Sequence, residues 1–377
     1  MAKRLKVGVA GCGNISATYF KFAPLFKAIE ITACADLNMG LAEFRAKEHG
    51  IAAMTPEAMI ASPDVDIVLN ITVPAAHFAV SMAAVKAGKH VYSEKPLTLS
   101  LKEGLTLKAA TEKHGVKLAC APDTILGGAH QLARKAVDDG VIGKVTSGTA
   151  VIMGHGMEHW HPNPDFFFKP GGGPVLDMGP YYIGGLINLL GPVKRVAALT
   201  SAATAYRTIS SQPRAGQKIK VETPTNIQAL LEFASGATVT LLASWDVWAH
   251  RLPLMELYGT EGSLYMPDPN FFGGEVLATK RGGAATALPA WDHPLSIGNH
   301  PDGGEKLANY RAVGLADLAD AILKRRDPRC SIDRALHAVE VMTAILASGE
   351  DGKFKQMKTS CTRPKPLPPD AARALMR

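Results

Sequence analysis

Leu5-Lys6-Val7-Gly8-Val9-Ala10-Gly11-Cys12-Gly13-Asn14-Ile15-Ser16 decides the reading of this chain. Leu5 to Ala10 is a short, mostly apolar run with the pattern of a buried strand, and two glycines follow where a strand hands over to a helix. Gly11 permits the tight turn. Gly13 removes a side chain where backbone approaches a pyrophosphate, and the free N–H groups and dipole of the next helix favour that anion. Ser16 stands where a third glycine or alanine is usual, so the motif needs its context.

That context is a second strand, Glu30 to Ala35, which ends at Asp36, about 23 residues beyond Gly13, where an acid holds ribose hydroxyls. A carboxylate there repels a 2′-phosphate, and Leu37-Asn38-Met39 supplies no arginine, so the pattern predicts NAD rather than NADP. The plain alternative for Asp36 is a solvated turn residue. Met39 to His49 and Pro56 to Ala61 then read as helices, and Val65 to Ile71 as an apolar strand ended by Thr72-Val73-Pro74. Ala76 to Ala87 is a helix stopped by Gly88, His90 to Tyr92 a short strand, Leu101 to His114 a helix and Val116 to Ala121 a last strand. Such alternation predicts an α/β fold, a doubly wound parallel sheet that binds ligands at the carboxyl ends of its strands.

Asp36, Thr72 and Lys95 fall at such ends, with Pro74, His77 and Glu94 beside them. His77 either faces the cofactor and substrate or satisfies local backbone at a helix start. Lys95 sits in Ser93-Glu94-Lys95-Pro96, after an apolar run and pinned by a proline, which makes it a candidate catalytic amine. The cofactor set is therefore Gly11, Gly13, Asn14, Ile15, Asp36, Thr72, Pro74, His77, Glu94 and Lys95.

The 377 residues are 47% hydrophobic and 20% charged, enough for two domains. No run of eighteen apolar residues occurs, and Met1 to Lys6 lead straight into the first strand without a signal-peptide pattern, so the expectation is a cytoplasmic protein without membrane partners. Five scattered cysteines, Cys12, Cys34, Cys120, Cys330 and Cys361, contain no C-x-x-C pair and predict neither a disulfide framework nor a zinc site. The net charge of +7 is dispersed rather than clustered with aromatics, which argues against nucleic acid as a partner and for solubility and anionic ligands.

From Gly127 the character changes. One more helix, Ala129 to Asp139, precedes runs that read as strands at Val145 to Met153, Asn226 to Phe233, Ala237 to Trp245, Leu254 to Tyr258 and Ser263 to Met266. Clustered strands predict an α+β second domain with a large, open, mostly antiparallel sheet whose free face is suited to pairing subunits. Asn309 to Leu323 and Asp333 to Ala347 read as helices, and Cys361 to Arg377, rich in proline, as an extended, partly disordered tail. The expected division is 1–125 for the cofactor domain, 126–360 for the α+β domain, with helices of 309–347 packing back on the first, and 361–377 for the tail.

Two segments of this half carry candidate chemistry. Gly171-Gly172-Gly173 leads into Pro174-Val175-Leu176-Asp177-Met178-Gly179-Pro180-Tyr181-Tyr182, where Asp177 and Tyr181 are four apart and share a helix face. Pro180 suits a first helical turn, so the helix is expected to begin near Asp177, and an N-cap is the simpler role for that aspartate. His155-Gly156-Met157-Glu158-His159-Trp160-His161-Pro162 is dense in histidine, but Gly154, Gly156 and Pro162 oppose the rigid face that metal ligands need. No metal is expected; the segment reads as a substrate-facing loop, with Trp160 an apolar platform and His155 and His161 hydrogen-bonding a polyhydroxylated ligand.

With these motifs in place the chain resembles the Gfo/Idh/MocA family of NAD(P)-dependent oxidoreductases. The resemblance rests on Gly11 to Ile15, on Ala87-Gly88-Lys89-His90-Val91-Tyr92-Ser93-Glu94-Lys95-Pro96-Leu97, and on Gly171-Gly172-Gly173 with Asp177-Met178-Gly179. It implies a Rossmann domain followed by an α/β domain with an open sheet used for homodimers or homotetramers, and sugars or inositols oxidised or reduced at a secondary carbinol. It maps the family's lysine onto Lys95 and its aspartate and histidine onto Asp177 and Tyr181. Tyrosine in place of histidine is a departure, because a phenol of pKa near ~10 needs a neighbouring cation to act as a base at neutral pH. Lys95 is the expected cation, so that Lys95, Asp177 and Tyr181 form the catalytic set and also line the substrate site. Two other activities fit the same resemblance: glycoside cleavage through transient oxidation, and a non-catalytic sugar and nucleotide sensor.

Overall fold

The computed structural model describes residues 3–289, 291–302 and 305–377. Strands β1 (Leu5–Ala10), β2 (Ile29–Ala35), β3 (Ala52–Met54), β4 (Ile67–Asn70), β5 (His90–Ser93) and β6 (Leu118–Cys120) form one sheet in the order β3-β2-β1-β4-β5-β6, every pair parallel. This is the doubly wound order, whose direction reverses between β1 and β4 and opens a crevice at the carboxyl ends of those strands. Helices α1 (Ser16–Phe22), α2 (Met39–His49), α3 (Pro56–Ala61), α4 (His77–Lys86) and α5 (Leu101–His114) make the crossovers. Both faces of the sheet are covered: Ile67 and Leu69 of β4 enter one core and Val68 the other, which is why the strand reads as a continuous apolar run. Helix ends follow local chemistry, as where Ser100 caps α5 by accepting from the Glu103 N–H and Gly115, at φ 64°, stops it.

After α6 (Gly128–Asp138), β7 (Val145–Met153) opens the second domain, followed by α7 (Pro174–Leu190) and β8 (Val193–Ser201). The hairpin β9 (Tyr206–Thr208) and β10 (Lys218–Lys220) precedes β11 (Asn226–Phe233), β12 (Thr238–Ser244), β13 (Met255–Gly259), β14 (Gly262–Met266), β15 (Leu277–Lys280) and β16 (Thr286–Ala287). A short hairpin, β17 (His300–Asp302) and β18 (Glu305–Leu307), leads to α8 (Val313–Leu323), α9 (Ile332–Asp351), β19 (Lys355–Gln356) and α10 (Pro369–Arg373). The large sheet has nine strands ordered β16-β15-β14-β13-β7-β12-β11-β8-β19, all antiparallel except β7 with β12. Alternation along β11 buries Ile227, Ala229, Leu231 and Phe233 on the face that α7 covers, whereas Leu230 and, on β8, Leu199 lie on the opposite, exposed face. Helix α8 packs on the first sheet, and α9 touches α5 and β6 of the first domain as well as β8 and α7 of the second.

Three expectations need correction. Helix α7 begins at Pro174 rather than near Asp177, because Gly173, at φ 90°, caps it and a second proline takes the first helical position. Pro180 therefore lies in the helix interior, where it leaves the Leu176 carbonyl without its i+4 N–H donor. Residues 309–312 are loop, not helix, because Ala312 adopts a left-handed φ of 89° and α8 starts only after it. The tail is ordered: Cys361, Leu367, Ala372 and Leu375 are buried, Leu367 N–H donates to Gln131 Oε1 at 2.6 Å, and Lys27 N–H donates to Leu375 O at 3.1 Å. Prolines suppress regular structure there but do not prevent apolar side chains from packing, so the segment straps α6 to the residues leading into β2. Replacing Leu367, which is 1% exposed, with alanine is expected to cost about 2–4 kcal/mol of stability, measured by chemical denaturation.

Candidate active site

The turn after β1 has the shape a dinucleotide needs. Gly11 holds φ 104°, and a Cβ there would meet Ile71 O at 2.8 Å; a Cβ on Gly13 would meet nothing within 4 Å, leaving an open cradle. No side chain caps the amino terminus of α1, where the Ser16 and Thr18 N–H groups bond back to Gly13 O at 3.1 Å and Ile15 O at 3.0 Å. Gly13 and Asn14 are exposed at the mouth of the crevice and Ile15 is half-buried behind them. The Ser16 hydroxyl, where a third glycine is usual, donates to Gly13 O at 2.6 Å and holds the turn closed. Asp36 sits at the end of β2 with its carboxylate fixed by the Cys12 N–H at 2.8 Å and the Asn38 N–H at 2.9 Å. The open cradle at Gly13 and the fixed carboxylate of Asp36 fit a bound NAD.

Across the crevice, the segment after β5 is tied down at every polar atom of Glu94. Its N–H donates to Asn70 O at 2.8 Å, Tyr19 of α1 donates its hydroxyl to Oε1 at 2.8 Å, and the Lys95 N–H donates to Oε2 at 2.9 Å. Glu94 is thus an anchor between the two banks of the crevice. His77 does the same for β4: it is 1% exposed, with Nδ1 2.7 Å from Pro96 O and Nε2 3.1 Å from Thr72 O. The expectation that His77 faces nicotinamide or substrate is corrected accordingly, since both ring nitrogens are engaged by backbone. Thr72 and Pro74 remain at the carboxyl end of β4, the Thr72 hydroxyl donating to Asn70 Oδ1 at 2.7 Å.

Anchoring Glu94 and Pro96 aims Lys95 at the second domain. Its ammonium donates to Asp177 Oδ1 at 2.9 Å and to Asp177 O at 2.7 Å, and lies over the Tyr181 ring, 5.1 Å from its centroid. Asp177 and Tyr181, one turn apart on α7, thus both face Lys95. Burial opposes the ammonium, but the Asp177 carboxylate and the Tyr181 phenol outweigh it and hold the Lys95 pKa above the ordinary lysine value.

The phenol oxygen itself is met by a residue the sequence did not single out. Arg311 Nη2 lies 3.4 Å from Tyr181 Oη and donates to Asn270 Oδ1 at 2.7 Å, while Nη1 reaches Asn309 Oδ1 at 3.3 Å. Arg311 reaches the site because Ala312 is left-handed, and that conformation is held by Asp123, just beyond β6, whose Oδ2 accepts from Ala312 N–H at 3.1 Å and Gly314 N–H at 2.9 Å. Gly314 is required there, because a Cβ would lie 2.4 Å from the Tyr92 hydroxyl. The helical pattern of 309–323 hid this loop, because the left-handed Ala312 is set by Asp123, 189 positions away, and no local signal marks it.

The histidine loop divides. His161 stays near the site, its ring edge-on to Phe166 and Phe167 and within reach of the Asp177 charge, with burial lowering its pKa. Trp160 beside it is 55% exposed. His155 is corrected as a substrate contact: its ring stacks on Trp248, and its carbonyl accepts from Arg207 at 2.6 Å, so it belongs to a separate buried network of Arg207, Glu158 and Asp246. Among the described residues no group of His, Cys, Asp or Glu has the arrangement of a metal site.

The family model for NAD-binding Rossmann-fold oxidoreductases matches residues 5–121, and that for the GFO/IDH/MocA C-terminal domain matches 130–265. The chain belongs to the Gfo/Idh/MocA family and is an NAD-binding oxidoreductase. Among its relatives, dTDP-3,4-didehydro-2,6-dideoxy-alpha-D-glucose 3-reductase of Streptomyces violaceoruber is 28% identical, over 81% of this chain and 80% of that protein. Levoglucosan dehydrogenase of Pseudarthrobacter phenanthrenivorans is 25% identical, over 70% of this chain and 73% of its own. A solved structure of levoglucosan dehydrogenase with NADH and L-sorbose shares the fold with a TM-score of 0.81 at 21% identity, covering 95% of this chain and all of that one, 100%. No helix among the described residues is long and apolar enough to cross a membrane.

Asp123 gives the site a pH signature. It is 2% exposed, and burial raises its pKa from 3.8 to about 6, against the backbone donor of Gly314 and the charge of Arg311. The folded protein therefore binds this proton more tightly than the unfolded chain. Stability falls as pH rises from about 4 to 6, by at most about 3 kcal/mol from this group, and the full cost is present above that window. Asp123→Asn keeps an acceptor for both N–H groups and is expected to flatten that dependence, which denaturation midpoints at pH 4.5 and 7 would reveal.

Proposed function

We propose that the chain interconverts a secondary hydroxyl and the matching ketone of a sugar, inositol or sugar derivative, with Lys95, Asp177 and Tyr181 as the catalytic set. The observation that carries this reading is the convergence of Lys95, Asp177, Tyr181 and Arg311 beside the carboxyl ends of the first sheet, facing the crevice that takes NAD. Two relatives whose names specify sugar substrates support the substrate class.

Gly11, Gly13, Asn14 and Ile15 hold the pyrophosphate, Asp36 the adenosine ribose, and Thr72 and Pro74 the far end. Bound NAD supplies the hydride acceptor. Tyr181 takes the proton of the substrate hydroxyl and returns it to a ketone oxygen in the reverse direction. Arg311, at the phenol oxygen, stabilises the tyrosinate, and Lys95 adds a second positive charge over the ring. Lys95 also donates to the substrate oxygen on which charge changes, while Asp177 fixes the ammonium through two acceptors. His161 and Trp160 meet the outer hydroxyls and the C–H face of the substrate. The division of labour differs from a lone Lys95 activator, because the cation at the phenol oxygen is Arg311.

The exposed face of the nine-stranded sheet, with Leu199 73% and Leu230 57% exposed, supports a homodimer or homotetramer built on it. All five cysteines are free and buried, which supports a reducing, cytoplasmic setting.

Incubating the protein with sugars, inositols and glycosides and following reduced nicotinamide, with NAD and NADP compared, tests the reading; aglycone release without net NADH would point to glycoside cleavage instead. Lys95→Met is expected to lower turnover by about 10²- to 10⁴-fold while NAD affinity holds, and comparable turnover in that variant would remove Lys95 from the mechanism. Arg311→Met is expected to lower kcat by about 10²-fold with NAD affinity held, read by steady-state kinetics, since charge developing on the phenol oxygen loses its hydrogen-bonded cation.

A further inference from the structure

Between β8 and β11 the chain makes an excursion, residues 202–225, whose hairpin β9–β10 joins neither large sheet. It packs instead on the loop that runs from β7 to α7. Phe167 and Phe168 of that loop, Ile209 and Ile219 of the excursion and Trp245 after β12 form a small core of their own, apart from the two large ones. Loop and hairpin are therefore one packed unit, with Trp160 exposed on it.

Hydrogen bonds tie the loop to the excursion along its length. Glu158 O accepts from the Ser210 N–H at 3.0 Å and the Ser211 N–H at 3.1 Å, the Ser211 hydroxyl donates to His161 O at 2.6 Å, Arg214 pairs with Asp165, and the Glu222 N–H donates to Phe168 O at 2.8 Å. The front of the loop is held by Arg207, which is 8% exposed. Its Nε donates to Glu158 Oε1 at 2.7 Å, Nη1 to Asp246 Oδ1 at 2.9 Å, and Nη2 to His155 O at 2.6 Å and Trp245 O at 3.0 Å. One guanidinium thus fixes the start of the loop against the residues that follow β7 and β12. Burying a cation with two carboxylates costs desolvation that apolar packing would avoid, so what the planar fork contributes is direction.

His161 is set by the same unit. Its carbonyl is held by Ser211, and its Nδ1 accepts from the Asn163 N–H at 3.1 Å, which leaves the ring proton on Nε2. The far end of the loop has separate supports: the Gly173 N–H donates to Phe167 O at 2.8 Å, and Asp177 beyond it is bonded by Lys95. We infer, resting on the proposed reaction, that Arg207 is a positioning residue for the sugar. Through Glu158, His155 and Asp246 it sets the loop so that Trp160 and the Nε2–H of His161 meet the outer atoms of the ring. Loss of Arg207 frees the front of the loop and removes the cation that both carboxylates face, so sugar binding weakens while Lys95, Asp177 and Tyr181 keep their places.

The test compares the full-length wild-type protein with Arg207→Met and Arg207→Lys. The lysine variant keeps a cation between the carboxylates, and so guards against loss of folding, but one ammonium cannot span four acceptors in fixed directions. Hydrogen exchange of the free proteins is read first, then steady-state kinetics with NAD and the best sugar of the substrate screen. Exchange is expected to quicken in 155–168 and 202–222 and not in the first sheet. The sugar KM is expected to rise about tenfold in Arg207→Met and about threefold in Arg207→Lys, with kcat within about threefold and the NAD dissociation constant unchanged. A merely structural role would reduce the fraction of active protein instead, lowering kcat with both Michaelis constants unmoved. The assignment is overturned by that result, by unchanged exchange of the loop in the folded variants, or by a loosened loop with an unchanged sugar KM. If the wild-type protein turns over no sugar, it is the proposed reaction that fails, and the exchange measurement still decides whether Arg207 holds the loop.

Discussion

An ammonium and a carboxylate 2.9 Å apart join the two domains, and the arrangement of the cleft follows from that contact. Lys95 comes from the loop after β5 and Asp177 from the first turns of α7, so the pair fixes the second domain's helix against the cofactor crevice. A partly buried ion pair adds little to stability, since desolvation consumes most of its Coulombic gain. Its value is geometric: with its carbonyl as a second acceptor, Asp177 leaves the ammonium one position, over the Tyr181 ring.

That contact works only because the loop carrying Lys95 is rigid on its other side. Glu94 is pinned by Tyr19 from the helix after the glycine turn, and His77 clasps Pro96 to the end of β4. The groups that flank the cofactor crevice are thus bonded to each other across it, by residues that do not themselves face the substrate. On the far side, Asp123 holds the left-handed Ala312 and so delivers Arg311 to the phenol oxygen. Left-handed alanine and a buried carboxylate both cost free energy, and their coexistence beside Arg311 and Tyr181 is the pattern of strain retained for placement.

Much of this was legible in the chain. Strands β1, β2, β4, β5 and β6 are apolar runs ended by turn residues, and their alternation with helices points to a doubly wound parallel sheet. Lys95, Asp177 and Tyr181 were legible because motif spacing and the i,i+4 rule act locally. Strand β8 was not singled out, although Val193 to Ser201 alternates, because Lys194, Arg195 and the exposed Leu199 blur its pattern until β11 and β19 flank it. His155 and His161 looked alike within one seven-residue stretch, and only the path of the loop between β7 and α7 sends one to Trp248 and the other toward Asp177. The tail looked disordered because proline content reports local propensity, not whether Leu367 and Leu375 find a core.

The sequence by itself determined the doubly wound cofactor domain, the acid at the end of its second strand, and the lysine, aspartate and tyrosine that the fold brings together, since each depends on residue type and spacing along a few turns of chain. Tertiary structure alone decided that Arg311 rather than Lys95 meets the phenol oxygen and that His77 and Glu94 serve as clasps. Those contacts join residues far apart in sequence, the widest spanning 130 positions from Tyr181 to Arg311. Their partners are chosen by which strand ends and loops the packed sheets bring together, and no local pattern encodes that.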